Sequence, residues 1–218
     1  MMPFLSASFR LVVLGLCLAI ASVSAQAANE RGPEQLIRDS IDDLMGQIEG
    51  RKDYFADNVD ELKALVDDSL DDIADFRYIG ASVMGRYFRN ATPQQRSRFV
   101  NTFRQTLIDT YTKGLVTFDY RELRVLETQQ PQRHEDQASV AMEVVAMDGS
   151  VYPVSYSLRL SDGQWKVVNV IVNGINLGLT FRNQFDQSMR EHNRDYDAVI
   201  DDWAPEIAVE ELEEGGSA

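Results

Sequence analysis

Hydrophobic residues recur at helical spacing through the first half of the chain. The clearest helix begins with Thr92-Pro93-Gln94-Gln95, which combines an N-cap, a proline at the first helical position and a capping-box glutamine. Apolar residues then recur every four positions, and Gly114 is the expected stop. This stripe consists of Phe99, Phe103, Leu107, Tyr111 and Leu115. The pattern predicts a long amphipathic helix.

Three earlier segments show the same periodicity. The first begins at Pro33 and ends before Gly50, the second begins at Val59, and the third covers residues 76–88. Their apolar positions are Leu36, Ile37, Ile41, Leu44, Met45 and Ile48 in the first, Val59, Leu62, Leu65, Val66 and Ile73 in the second, and Ile79, Val83, Met84 and Tyr87 in the third. The N-terminal part of the fold is therefore predicted to be helical.

After the long helix the hydrophobic period changes to two. Phe118 and Tyr120 alternate, and Leu123 and Val125 then alternate on the opposite parity, which predicts a β-bulge near Arg121. Three further strands are predicted at residues 139–147, 151–160 and 165–172. Asp-Gly pairs between them are strong hairpin signals. The four strands should form an antiparallel meander.

The chain then returns to helical spacing. Asn173-Gly174 turns it, a stripe of Leu177, Phe181, Phe185 and Met189 follows, and a short helix is expected over residues 196–203, ended by Pro205. This order of helices, strands and helices predicts an α+β fold, with N-terminal helices and a C-terminal helix packed on a four-stranded antiparallel sheet.

Residues 1–27 have the pattern of a secretory signal peptide. Arg10 precedes an apolar run at residues 11–21, and Ala25-Gln26-Ala27 fits a cleavage site, so the mature chain is expected to begin at Ala28. The apolar run is shorter than the roughly 20 residues that span a bilayer, which disfavours a membrane anchor. We therefore expect an exported protein with one domain at residues 28–204 and an acidic, disordered tail at residues 205–218.

Charge narrows the possible partners. The net charge is −14, and removal of Arg10 with the leader leaves 20 basic and 35 acidic residues, or −15. Such a surface repels nucleic acid and anionic lipid headgroups. The acidic residues on the second predicted helix have two interpretations, a solvated face or a docking site for a basic partner. The candidate docking residues are Asp60, Glu61, Asp67 and Asp68.

Catalytic and metal-binding patterns are absent from the sequence. His134-Glu135 begins like a zinc-protease motif, but Ala138 stands where the second histidine is required. The single cysteine, Cys17, leaves with the leader, so the mature chain has no thiol nucleophile. Paired carboxylates such as Asp42-Asp43 lie on predicted solvent-facing helix surfaces. We therefore expect neither an enzyme nor a cofactor or metal site.

Apolar residues are concentrated on elements that must converge. One strand face carries Tyr152, Val154, Tyr156, Leu158 and Leu160, and another carries Val140, Met142 and Val144. The helices add Met84, Tyr87, Phe103, Tyr111, Phe181 and Phe185. Periodicity alone does not distinguish a filled core from a hollow one.

Several motifs recur in a characteristic order and spacing over residues 33–203. The first half contributes Asp75-Phe76, Val83-Met84-Gly85-Arg86-Tyr87, Thr92-Pro93-Gln94-Gln95, Phe99, Phe103 and Thr110-Tyr111. The second half contributes Trp165-Lys166-Val167, Val170, Gly174-Ile175-Asn176-Leu177 and Phe181-Arg182-Asn183-Gln184-Phe185. In this order and spacing the motifs resemble the MlaC, or toluene-tolerance, family of periplasmic phospholipid-binding proteins.

The resemblance implies a periplasmic shuttle with an apolar cavity between helices and sheet. It would carry phospholipid between an outer-membrane lipoprotein complex and an inner-membrane ABC transporter of a Gram-negative bacterium, maintaining outer-membrane lipid asymmetry. The expected lipid-binding residues are Met84, Tyr87, Phe103, Tyr111, Val140, Met142, Val144, Val154, Tyr156, Leu158, Phe181 and Phe185. The alternatives are a periplasmic chaperone or adaptor that binds protein in an apolar groove, or an enzyme on the same scaffold.

Overall fold

The computed structural model describes residues 31–117, 120–127 and 134–205. The expected leader, Phe118 and the tail from residue 206 onward lie outside the described residues. The helices are α1 (Pro33–Ile48), α2 (Lys52–Asp57), α3 (Val59–Ile73), α4 (Phe76–Met84), α5 (Pro93–Thr117), α6 (Leu177–Glu191) and α7 (Tyr196–Asp201), with a 3₁₀ turn at Gly85–Tyr87. The strands are β1 (Tyr120–Val125), β2 (Gln137–Ala146), β3 (Val151–Ser161), β4 (Gln164–Val172) and β5 (Ile175–Asn176). The order of elements confirms the α+β class.

Helix α5 begins with the predicted capping box. The Thr92 N–H donates to Gln95 Oε1 at 3.0 Å, and the Gln95 N–H donates to Thr92 Oγ1 at 3.2 Å. The predicted stop at Gly114 is wrong, because α5 continues to Thr117. A glycine inside a helix costs only about 1 kcal/mol relative to alanine, so the rest of a long helix can hold it.

The sheet is an antiparallel meander in the order β1-β2-β3-β4-β5. Asp162 and Gly163 have φ values of 50° and 77°, as a tight hairpin between β3 and β4 requires. Asn173 and Gly174, at φ 49° and 86°, make a second turn of this kind into β5. The prediction of four strands is therefore wrong. The fifth strand has two residues, which is too short to give an alternating pattern.

The pairing between β1 and β2 is irregular where the sequence predicts a bulge. The register shifts between Tyr120 and Glu122, which confirms the change of parity near Arg121. A second shift, between Ser157 and Leu158 on β3, adds one residue on the β4 side. Bulges increase the local twist of a sheet. This twist curves the sheet where the helices cover it.

The largest hydrophobic cluster lies among α4, α5, α6 and α7. Its centre, here called the aromatic cluster, consists of Phe99, Phe103, Phe181, Phe185 and Trp203. The ring centroids of Phe99 and Phe185 are 4.8 Å apart, and those of Phe103 and Phe181 are 5.4 Å apart, both in edge-to-face geometry. Such pairs contribute about 0.5–1.5 kcal/mol each beyond burial. The aromatic cluster therefore joins α5, α6 and the segment after α7, and Tyr87 in the 3₁₀ turn after α4 contacts it through Phe185.

The helices contact the sheet at several places. The chain after α3 is fixed to β4 because the Asp75 N–H donates to the Val167 carbonyl at 3.0 Å. Helix α6 begins beside β4, where the Gly178 N–H donates to Asn169 Oδ1 at 3.0 Å. Ile37 of α1 packs with Val140, Leu158 and Val167, so α1 and the segment after α3 both contact the sheet at Val167.

Candidate functional site

The predicted strand residues lie together on one face of the sheet. This is the face toward the helices, here called the inner face. Across β2 and β3, Val140 pairs with Tyr156, Met142 with Val154, and Val144 with Tyr152. Because side chains alternate along a strand, these residues share one face with Leu158. The two apolar strand faces in the sequence are therefore one continuous surface. It continues to Leu123 and Val125 on β1 and to Val170 and Val172 on β4.

Burial changes along this inner face. Val140 and Leu158 have 0% and 2% of their surface exposed, and both pack with Ile37 and Val167. Val144, further along the same strand, is only half-buried. An apolar side chain under a sealed helical layer would have almost no accessible surface. The inner face is therefore sealed at Val140, where Tyr156 also packs, nearly buried at Met142 and Val154, and partly accessible at Val144.

Half-buried aromatic residues mark the same region. Tyr152 and Tyr156 lie on the inner face of β3 and both keep part of their surface accessible. The Tyr156 hydroxyl lies 4.0 Å from the sulfur of Met142, a weak contact between two soft or polar groups within an apolar surface. We call the half-buried part of the inner face, around Val144, Tyr152 and Tyr156, the open face.

A second hydrophobic cluster involves α1, α2, α3 and α5. Its fully buried members are Ile48, Phe55, Leu62, Val66 and Ile108. Leucines at its border, including Leu44, Leu65 and Leu115, are only half-buried. The three clusters of described residues share members only through partly buried side chains such as Leu70 and Val170. The apolar interior is therefore divided rather than one uniformly packed core.

The predicted helix residues lie elsewhere. Met84, Tyr87, Phe103, Phe181 and Phe185 all belong to the cluster among α4 to α7, and at most 7% of each is exposed. They pack on one another and against Val170 and Val172 of the inner face, and their role in lipid binding stays a prediction. Met84 and Tyr87 also line a surface groove between α4 and α6. The side chain of Tyr111 is outside the part of the chain that the structure describes.

Thr112 on α5 is a candidate residue that the sequence pattern did not indicate. Only 2% of it is exposed, and its Oγ1 has no hydrogen-bond partner among the residues that the structure describes. Thr106 and Thr110 on the same helix donate their hydroxyls to carbonyls one turn earlier, at 2.9 Å. A buried hydroxyl without a partner costs about 1–3 kcal/mol. Thr112 therefore offers a polar atom to whatever enters the interior near it.

The predicted docking residues on α3 do not form one free acidic surface. Asp67 accepts a hydrogen bond from Arg104 of α5 at 2.6 Å, so its charge is paired within the chain. Glu61 accepts a hydrogen bond from the Tyr54 hydroxyl, which raises the pKa of Tyr54. Asp60, Glu61 and Asp68 remain exposed to solvent. Asp67 also keeps part of its side chain accessible, so all four stay predicted docking residues, with Asp67 already paired to Arg104.

The described residues give little basis for chemistry that needs ionisation or a metal. No group of three or more His, Cys, Asp or Glu side chains among them is arranged to hold a metal ion. Burial raises the pKa of Tyr120 and of Tyr196, so both stay uncharged at neutral pH. Within this part of the chain, no helix is long and apolar enough to cross a membrane. What the geometry offers is an apolar binding surface.

Comparison with known proteins identifies the relatives of this chain. The family described as MlaC protein matches residues 38–205, which is most of the sequence. The chain belongs to the MlaC family. The toluene tolerance protein Ttg2D of Pseudomonas putida is 34% identical over 197 residues, covering 89% of this chain and 90% of that protein. The sequence resemblance to the MlaC, or toluene-tolerance, family is confirmed.

Two further relatives are more distant. The intermembrane phospholipid transport system binding protein MlaC of Haemophilus influenzae is 20% identical over 169 residues, or 76% of this chain and 78% of that protein. A phospholipid-binding protein of Ralstonia solanacearum, solved in complex with a phospholipid, superposes with a TM-score of 0.70 at 22% identity. The match covers 86% of this chain and 98% of the Ralstonia chain, so the two share the MlaC fold.

Replacing Thr112 tests whether its hydroxyl is unsatisfied. Thr112→Val keeps the side-chain shape and removes the buried hydroxyl, so we expect the free energy of unfolding of the lipid-free protein to rise by about 1 kcal/mol. The measurement is equilibrium urea denaturation. Thr110→Val, on the same helix, is the matched control because it removes a bonded and exposed hydroxyl. A loss of stability in Thr112→Val, equal to that in the control, would show that the Thr112 hydroxyl is satisfied.

Proposed function

We propose that this protein is a periplasmic phospholipid carrier that holds acyl chains against the open face of its sheet. It would move lipid between an outer-membrane lipoprotein complex and an inner-membrane ABC transporter, and so help to maintain outer-membrane lipid asymmetry. The observation that carries the proposal is the apolar inner face around Val144, Tyr152 and Tyr156, whose side chains keep accessible surface beside the sealed part of the same face. Membership of the MlaC family supports the same function.

The physical need for such a carrier is large. The two acyl chains of a phospholipid contain about 30 methylene groups, and exposure of each to water costs about 0.8 kcal/mol. An unshielded lipid would therefore face a barrier of roughly 24 kcal/mol between two membranes. A protein surface that replaces water along the chains lowers most of that barrier. Nothing in this step requires a reacting group or a cofactor.

The burial gradient supports an assignment of roles within the predicted lipid-binding set. Val144 and Tyr156 would contact acyl chains directly, with Met142 and Val154 beside them. Val140 and Leu158 would close one end, because Ile37 and Val167 already cover them. The packed helix residues, from Met84 to Phe185, would form the rigid wall behind α5 and α6 rather than the lining.

The proposed route also needs a compartment and partners. Cleavage of the predicted signal peptide after Ala27 would release the carrier into the periplasm. The acidic mature chain would then be repelled by anionic membrane surfaces within a Debye length of roughly 8 Å, so lipid exchange would depend on receptor proteins. Asp60, Glu61 and Asp68 on α3 are proposed to meet a basic surface of the inner-membrane complex.

Two valines on β2 provide a matched test of the open face. Val144→Trp should fill space that acyl chains need and lower the bound lipid several-fold, with little change in stability. Val140→Trp places the same side chain on the same strand face, but into a packed cluster, and should cost about 1–3 kcal/mol through overpacking. Lipid content is read by extraction and mass spectrometry, and stability by urea denaturation. If Val144→Trp binds lipid as well as the wild type does, the open face is not the acyl-chain site.

Lipid should stabilise the folded protein. A ligand that binds only the native state adds RT ln(1 + [L]/Kd), which is about 2.7 kcal/mol at a hundredfold excess over Kd. For a domain of this size, we expect delipidation to lower the melting temperature by roughly 5–10 °C. Calorimetry before and after delipidation measures the change, and added phospholipid should reverse it. An unchanged melting curve after verified lipid removal would contradict a lipid-filled interior.

The acidic surface of α3 can be tested by charge reversal. The triple variant Asp60→Lys, Glu61→Lys and Asp68→Lys should associate about tenfold more slowly with the purified inner-membrane complex at low salt, because the electrostatic attraction is lost. Surface plasmon resonance at low and high salt measures the rates. The control carries lysine at Glu127, Glu135 and Asp136, which are equally exposed. If the two variants associate at equal rates, the acidic residues of α3 are a solvated surface and not a docking site.

A further inference from the structure

A second charged surface, separate from the acidic residues of α3, lies between α4 and α6. A groove of about 650 Å³ runs between α4 with its 3₁₀ turn and α6, lined by residues that include Tyr78, Arg86, Arg182 and Asp186. The groove is rich in guanidinium groups although the chain carries a net charge of −14. Local charge of the opposite sign to the whole molecule calls for a specific explanation.

Arg182 is held in place by the backbone of α4. Its Nε donates to the Ser82 carbonyl at 2.7 Å, across a hundred residues of sequence. Gly85 lies against this arginine, and its φ of +53° is a backbone conformation that favours glycine. Among the described residues, Arg182 has no carboxylate partner. Its two terminal nitrogens are therefore preorganised donors with no acceptor assigned to them.

The neighbouring charges leave the groove positive. Arg86 forms an ion pair with Asp186 and donates to the Tyr87 hydroxyl at 3.0 Å, and Arg190 also pairs with Asp186 at 2.8 Å. The hydrogen bond with Tyr87 and the charge of Asp186 raise the pKa of Arg86. Arg159 lies over the Tyr78 ring, 5.4 Å from its centroid. Two arginines, Arg86 and Arg182, and one carboxylate, Asp186, therefore line the groove, with Arg190 and Arg159 beside it.

The rim of the groove is apolar and exposed. Tyr78 is 40% exposed, and Leu179 is 53% exposed on α6, one turn before Arg182 and Asn183. Residues three and four apart share a helix face, so Leu179 projects beside Arg182. Exposed Tyr, Leu and Arg around a concave surface are typical of protein–protein contact sites, in which Tyr and Arg supply most of the binding energy.

We propose that this groove is a docking surface for an acidic segment of a partner protein. A partner carboxylate would bind the terminal nitrogens of Arg182, with an apolar side chain against Tyr78 and Leu179. The proposal rests on the proposed carrier function, because the partner is one of the two membrane complexes with which the carrier exchanges lipid. The acidic residues of α3 and this groove then present opposite charges, which would let two receptors recognise different surfaces of one carrier.

Charge reversal in the groove tests the proposal. Arg182→Glu, and separately Arg159→Glu, should slow association with one of the two purified complexes by about tenfold at low salt, and the salt dependence of that rate should weaken. Arg159→Glu breaks no backbone hydrogen bond, so it remains informative if Arg182→Glu is unstable. Arg121→Glu is the matched control, since Arg121 is exposed on β1 at the far edge of the sheet. Association is measured by surface plasmon resonance.

The outcomes separate this proposal from the carrier function. The docking surface is overturned if Arg159→Glu and Arg182→Glu associate with both complexes at rates within twofold of the Arg121→Glu rate. If the arginine variants associate normally with both complexes but no longer sediment with phosphatidylglycerol vesicles, the groove is a headgroup site instead. If they lose only self-association, it is a dimer contact. Native mass spectrometry of the same preparations reads the lipid content independently. A wild-type protein without lipid, but with arginine-dependent association, would refute the carrier and keep the docking surface.

Discussion

The inner face of the sheet is apolar from β1 to β4, and an apolar surface of this extent must be shielded from water for the fold to be stable. The helices shield it at several places. Ile37 covers one end, the residues after α3 are bonded to β4, and α6 begins beside Asn169. Val144, Tyr152 and Tyr156 nevertheless keep accessible surface. The helices therefore shield the apolar face only in part, and a bound lipid would shield the rest.

The aromatic cluster makes an incompletely filled interior compatible with stability. Phe99, Phe103 and Phe185 are completely buried, and their rings contact one another and Trp203. The largest hydrophobic cluster therefore lies among α4 to α7 and reaches the sheet at partly buried residues such as Val170 and Val172. A carrier needs such a division, because the part that exchanges ligand must remain open while the rest stays folded when the ligand leaves. The separate hydrophobic clusters are consistent with this division between a stable part and a ligand-exchanging part.

Sequence periodicity predicted what depends on local chemistry. The Thr92 capping box, the bulge near Arg121 and the shared face of β2 and β3 follow from spacing that any reader of the chain can see. The difference in burial between Val140 and Val144 does not follow from spacing, because the two valines lie on the same face of one strand. Only Ile37, more than a hundred residues earlier, distinguishes them. The unpaired hydroxyl of Thr112 likewise depends on tertiary packing.

The direct test of the account is native mass spectrometry of the mature protein purified from its own host without added lipid, followed by organic extraction. The account predicts a mass excess of at least one phospholipid per chain, lost on extraction and reduced in a variant with a filled open face. A protein at its bare polypeptide mass, or one whose excess mass is a peptide, would contradict the claim that the inner face of the sheet binds phospholipid.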